Sequence, residues 1–81
     1  MPTILRVKGY RFFFFSREEL RCHVHIHCQH GEAKFWLEPQ IELAKNYKLS
    51  RQELNEIEKI IEIHYTEFIK AWEDHFGSRS N

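Results

Sequence analysis

At 81 residues the chain has the length of one domain, and its core stays marginal unless a helix packs well on it or a partner completes it. Twelve Lys/Arg balance twelve Asp/Glu, which excludes the global positive charge of a nucleic-acid binder. The balance hides a split: residues 1–48 hold eight basic against five acidic side chains (+3), and residues 49–81 hold four against seven (−3).

The opening residues do not read as a signal peptide, because Lys8, Arg11 and Arg17 interrupt any apolar run, and no window reaches the length of a membrane span. Thr3 to Lys8 alternates weakly and meets Gly9, a turn residue; Tyr10 to Phe15 follows with strong β propensity, so the two segments predict a first hairpin. Four consecutive Phe, 12 to 15, imply a strand apolar on both faces, either central in the sheet or covered by helix on one side and a partner on the other. Residues 16–19 read as a polar connection.

Arg21-Cys-His-Val-His-Ile-His-Cys-Gln-His30 comes next and alternates strictly. On a strand, one face carries His23, His25 and His27, the other Cys22, Val24, Ile26 and Cys28. Val, Ile and free Cys belong inside, so the histidine row is expected on display. The two cysteines lie roughly 20 Å apart on such a strand, too far to bridge, and predict a reduced, cytoplasmic protein. A turn at residues 29–32 leads to a strand with Ala33, Phe35 and Leu37 on one face and Lys34, Trp36 and Glu38 on the other. Pro39 stops or kinks it, and Ile41 to Leu43 reads as a short further strand.

Ser50 and Glu53 form a capping box, with Leu49 and Leu54 at the positions of a hydrophobic staple. Apolar residues then recur at helical spacing: Leu54, Ile57, Ile61, Tyr65, Phe68, Trp72 and Phe76, with Ile60 and Ile63 widening the stripe and Gly77 as the stop. A straight helix over residues 51–76 would run roughly 39 Å, against a diameter of roughly 30 Å for so small a domain. Either it bends near residues 63–66 or its end, with Trp72 and Phe76, packs on a second subunit. The fold expected is α+β: an antiparallel sheet of three to five strands followed by one long C-terminal helix, straight or bent, in a single domain with a frayed tail at 78–81.

Several blocks, Met1-Pro-Thr-Ile-Leu-Arg6, Gly9-Tyr-Arg-Phe12, His23-Val-His25, Ala33-Lys-Phe-Trp-Leu37, Leu43-Ala-Lys-Asn46, Ala71-Trp72 and Phe76-Gly77, resemble the prokaryotic domain-of-unknown-function family numbered forty-one sixty. The resemblance implies a small stand-alone protein without an established activity, encoded beside another short protein in an arrangement of toxin–antitoxin type. Only His23 and His25 fall on the family's His-hydrophobic-His motif; Arg21-Cys22 stands where the family usually has proline before it, and His27, Cys28 and His30 lie outside the pattern. Lys34 and Trp36 do fall on a family block, so His23, His25, Lys34 and Trp36 form the shared surface it implies.

Three chemistries compete for these residues. A metal site, for zinc or another divalent transition ion, would draw on His23, His25, His27 and His30, since His-x-His on a strand is a workable two-ligand grip. His23 and His27 stand roughly 13 Å apart on an ideal strand, so a site needs one adjacent pair plus a ligand from elsewhere, such as Glu38, His30 or a symmetry mate; the plain alternative is a solvated polar face. A ribonuclease-like centre would use His23 and His25 as acid and base, with Lys34 and Arg6, Arg11 or Arg21 on the phosphate and Trp36 or Tyr10 stacking a base. An interaction module would offer Tyr10, Arg11, Trp36 and Trp72 to a small protein partner or a second copy, in a homodimer. The expected function is this last one: a cytoplasmic protein–protein interaction module in a two-gene bacterial system, with no membrane partner and no catalytic motif that names an enzyme. A Cys28–His30 nucleophile competes with core packing, and His64 and His75 read as structural.

Overall fold

The computed structural model describes residues 3–15 and 21–77. Five strands, β1 (Thr3–Val7), β2 (Tyr10–Phe13), β3 (His23–Cys28), β4 (Gly31–Trp36) and β5 (Glu42–Tyr47), precede two helices, α1 (Arg51–Ile63) and α2 (Tyr65–Phe76). The strands make one antiparallel sheet in sequence order, β1-β2-β3-β4-β5. The polar connection expected at 16–19 and the tail at 78–81 lie outside the described residues.

Local chemistry explains the tight hairpins. Lys8 and Gly9 bridge the paired residues Val7 and Tyr10 with φ of 53° and 84°, the two positive values of a type I′ turn. The Gln29–His30 turn closes β3 on β4 through the Cys28–Gly31 pair. A Cβ on Gly31 would meet the Tyr47 carbonyl oxygen at 2.5 Å and Leu49 Cδ2 at 2.8 Å, so this position admits only hydrogen.

The helices lie on one face of the sheet. Phe12, Phe14, Val24, Ile26, Phe35 and Leu37 from the sheet share a single core with Leu54, Ile57, Ile61, Phe68 and Trp72 from the helices. Each such side chain contributes about 1.5–3 kcal/mol by leaving water. Phe12 meets Phe68 at 5.6 Å between ring centroids, and Phe14 meets Trp72 edge-on at 5.3 Å. Cys22 and Cys28 are buried and not joined by a disulfide, on the side expected for them.

The helical segment departs from the single long helix expected. The capping box is present: Ser50 Oγ accepts from the Glu53 N–H at 3.1 Å while Glu53 Oε1 accepts from the Ser50 N–H at 2.9 Å. At His64, however, φ −105° and ψ 21° leave helical geometry and the segment divides in two. A continuous rod of roughly 39 Å would overrun a molecule whose longest extent is 36 Å, and the division lets α2 lay Phe68 and Trp72 back on the sheet. Ile63, expected to widen the buried stripe, is 77 % exposed at the joint. Gly77 stops α2 with φ 89°, its N–H donating to the Glu73 carbonyl at 2.8 Å.

The last strand is longer than the sequence suggested, and it is bulged. Lys34 pairs with Lys45 but Phe35 with Leu43, leaving Ala44 as the extra residue. Leu43 therefore shares the Phe35 side of the sheet, while Lys45 and Tyr47 share the opposite side with Lys34 and Glu32.

Candidate functional site

Cross-strand pairs share a face, so the register lays out the helix-free side of the sheet row by row. One row runs Phe13, His25, Lys34, Lys45; the next runs Arg6, Arg11, His27, Glu32, Tyr47; a third runs His23, Trp36, Glu42. Arg6, Arg11, Lys34 and Lys45 thus stand against Glu32 and Glu42, four cations to two carboxylates. The helical segment 51–76 is opposite in sign, with seven acidic side chains against Arg51, Lys59 and Lys70.

The aromatic groups on this face carry cations. The Arg11 guanidinium lies 4.4 Å from the Phe13 ring centroid, Arg21 lies 4.1 Å from Trp36, and Lys34 Nζ lies 4.6 Å from Trp36. Arg21 is fixed further by donating through Nε to the Glu38 carbonyl at 2.8 Å, and Arg11 by donating to Thr3 Oγ1 at 2.9 Å. Phe15 is 43 % exposed and Tyr47 60 %. Beside Tyr47 a depression of about 420 Å³ is lined by His25, Glu32, Ala33, Lys34, Lys45, Asn46 and Tyr47.

The four clustered histidines are not held alike. His23, expected on display, is buried: its ring sits 5.2 Å from Trp72, 5.8 Å from Trp36 and 5.2 Å from His25, and Nδ1 donates to the Arg21 carbonyl at 2.6 Å. Trp72 of α2 and Trp36 of β4 thus both pack against the His23 ring. His25 is half-buried, stacked on Phe13 at 5.6 Å and met edge-on by Phe15 at 5.5 Å. His27 is exposed between Arg11 and Glu32. His30 turns to the helix side and pairs with Glu53, Nε2 to Oε2 2.9 Å. Among the described residues no group of three or more His, Cys, Asp or Glu side chains is arranged to hold a metal ion, and these four histidines do not converge.

Two residues expected on a binding surface lie in the core instead. Trp72 is 4 % exposed, packed on Phe14 and on Phe76 at 4.3 Å. Tyr10 is 6 % exposed, its hydroxyl donating to Glu56 Oε1 at 2.9 Å; burial first, and then Glu56, push that hydroxyl up to about 12. The same contact, with Lys8 Nζ 3.2 Å from Glu56 Oε2, holds the Glu56 carboxyl below its ordinary value. Glu53 is also held low, chiefly by the Ser50 N–H and then by His30. These two form the seam between sheet and helix. Arg11 and Trp36 stay on the open face, and His25 stands opposite Lys34 in register, the adjacency that acid–base chemistry required. With His23 enclosed, though, that centre is left with one accessible imidazole. Lys45 and Tyr47, not singled out from the sequence, join the face through the Ala44 bulge, which local alternation does not reveal.

Among the described residues no helix is long and apolar enough to cross a membrane. No curated protein and no solved structure matches this chain. A family model does match, over residues 9–73, and covers β2 to most of α2, including every row of the open face except the contributions of β1. The chain belongs to the family described as a domain of unknown function, DUF4160.

Proposed function

We propose that the protein is a small protein–protein interaction module that binds through the helix-free face of its sheet. One observation carries the reading: Arg11 over Phe13 and Arg21 over Trp36 put arginine–aromatic stacks where a merely solvated face would carry separate polar groups. Arg, Trp, Tyr and Phe are the residues enriched at protein interfaces and among their energetic anchors. The Phe12–Phe15 run fits the same reading, because Phe12 and Phe14 fill the core while Phe13 and Phe15 remain on the other side with His25. The setting we propose is the one the family resemblance implies, a two-gene bacterial pair of toxin–antitoxin type in the cytoplasm.

The test is co-expression with the product of the adjoining short gene, followed by gel filtration of the untagged proteins. The two co-elute, and Arg11→Glu combined with Phe15→Asp separates them, whereas Lys59→Glu on α1 does not. Separate elution of the unmutated pair sinks the reading.

A further inference from the structure

We infer that the depression beside β5 is the anchoring point of this face and takes an acidic, carboxylate-bearing segment of a protein partner. The inference rests on the interaction-module reading and specifies the chemistry of what is bound. His25, Lys34 and Lys45 stand in one row across three adjacent strands, and all three line the depression. Lys34 and Lys45 are direct cross-strand partners, and Lys45, the exposed member, offers its ammonium to a carboxylate entering the depression.

The bulge strengthens the assignment. Leu43 and Lys45 are two residues apart and would share a face on a regular strand. The extra residue, Ala44, lets Leu43 keep the Phe35 side while Lys45 and Tyr47 turn to the open face. Bulges of this kind re-aim side chains next to binding sites. Lys45 and Tyr47 are both exposed, so the aimed groups are accessible, whereas Lys34 is 7 % exposed, with its Nζ 4.6 Å from the Trp36 ring centroid.

Charge decides which partner fits. The acidic helices repel an acidic partner and the basic sheet face attracts it, so encounter is oriented before contact. A nucleic-acid strand is the poorer fit, because Glu32 lines the same depression and Glu42 stands further along β5, interrupting the continuous cationic track that phosphates need. The carboxylates of a peptide stand on separate flexible side chains, so one can reach Lys45 while its neighbours turn away from both.

The experiment uses the full chain, isotope-labelled for amide NMR, titrated at low salt with two probes: an octaglutamate peptide and a twelve-nucleotide oligouridylate. Octaglutamate is expected to shift amides of residues 31–36 and 42–47, with affinity falling about tenfold in Lys45→Glu, the order expected on reversing a close charged contact. Lys59→Glu on the opposite side leaves it unchanged. Octaglutamate shifts that are absent, lie on the helices or survive Lys45→Glu overturn the inference, as does binding of oligouridylate in preference to the peptide. A gene-neighbour complex unaffected by Lys45→Glu also overturns it, yet leaves the interaction module standing. Octaglutamate binding at Lys45 without any gene-neighbour complex keeps the acidic-segment site and removes the two-gene reading.

Discussion

The Asn46 side chain bonds Leu49 in both directions, its Nδ2 donating to the Leu49 carbonyl at 3.1 Å and its Oδ1 accepting from the Leu49 N–H at 3.0 Å. This clamp holds the turn in which Lys48 adopts φ 68°, and delivers Leu49 buried to the start of α1. Asn46→Ala should lower stability by about 1–3 kcal/mol, since it leaves the Leu49 amide without its partner. Asn46→Asp, which keeps the acceptor and loses the donor, should fall between the two. Urea unfolding of the three proteins checks the order.

The same turn presses on β4. Gly31→Ala drives a methyl group into the Tyr47 carbonyl and Leu49, both of which are held by the Asn46 turn. A cost of about 1–3 kcal/mol is expected, the usual range for overpacking, and should appear as a lower midpoint in urea.

Histidine roles separate by substitution. His23→Ala opens a gap between Trp36 and Trp72 and should cost on the order of 2 kcal/mol or more, as large-to-small changes in cores do. His27→Ala, on an exposed position, should stay within about 0.5 kcal/mol of the parent. Thermal unfolding of both reads the contrast; equal losses would mean that β3 does not present its histidines as described.

Stability should fall at both ends of the pH scale for different reasons. Glu53 and Glu56 have folded-state values depressed below 4.5, so their contribution is fully present above that value and is lost as pH falls through the depressed values. Tyr10 is raised from 10.0 to about 12, so its contribution is present below 10.0 and is lost as pH rises towards 12. Unfolding midpoints measured against pH should lose part of the acid limb in Glu56→Gln and part of the alkaline limb in Tyr10→Phe.

Local signals read well from the chain alone. Gly9 marked the first turn, strict alternation placed Val24 and Ile26 inside, and Ser50 with Glu53 marked the start of α1. The β-branched and aromatic cluster at residues 63–66 marked where the helix could not continue straight, although not that it would divide. What escaped was set by contacts far apart in sequence. His23 has the parity of a displayed residue, yet Trp72 of the distant α2 packs against its ring together with Trp36. Tyr10 likewise fills the core because Glu56 waits for its hydroxyl on a distant helix. In β5 a period of two would group Leu43 with Lys45, and one inserted residue reverses that grouping without altering the composition of the strand.

The Ala44 bulge also decides where this fold tolerates a change in chain length. With Ala44 removed, Leu43 can remain opposite Phe35 and the following residue, Lys45, still meets Lys34, so no side chain crosses the sheet. Removing any residue from the regular ladder of β3 instead sends part of its buried row, Val24 and Ile26 among it, towards solvent. Deletion is thus absorbed at the sheet's edge and refused at its centre.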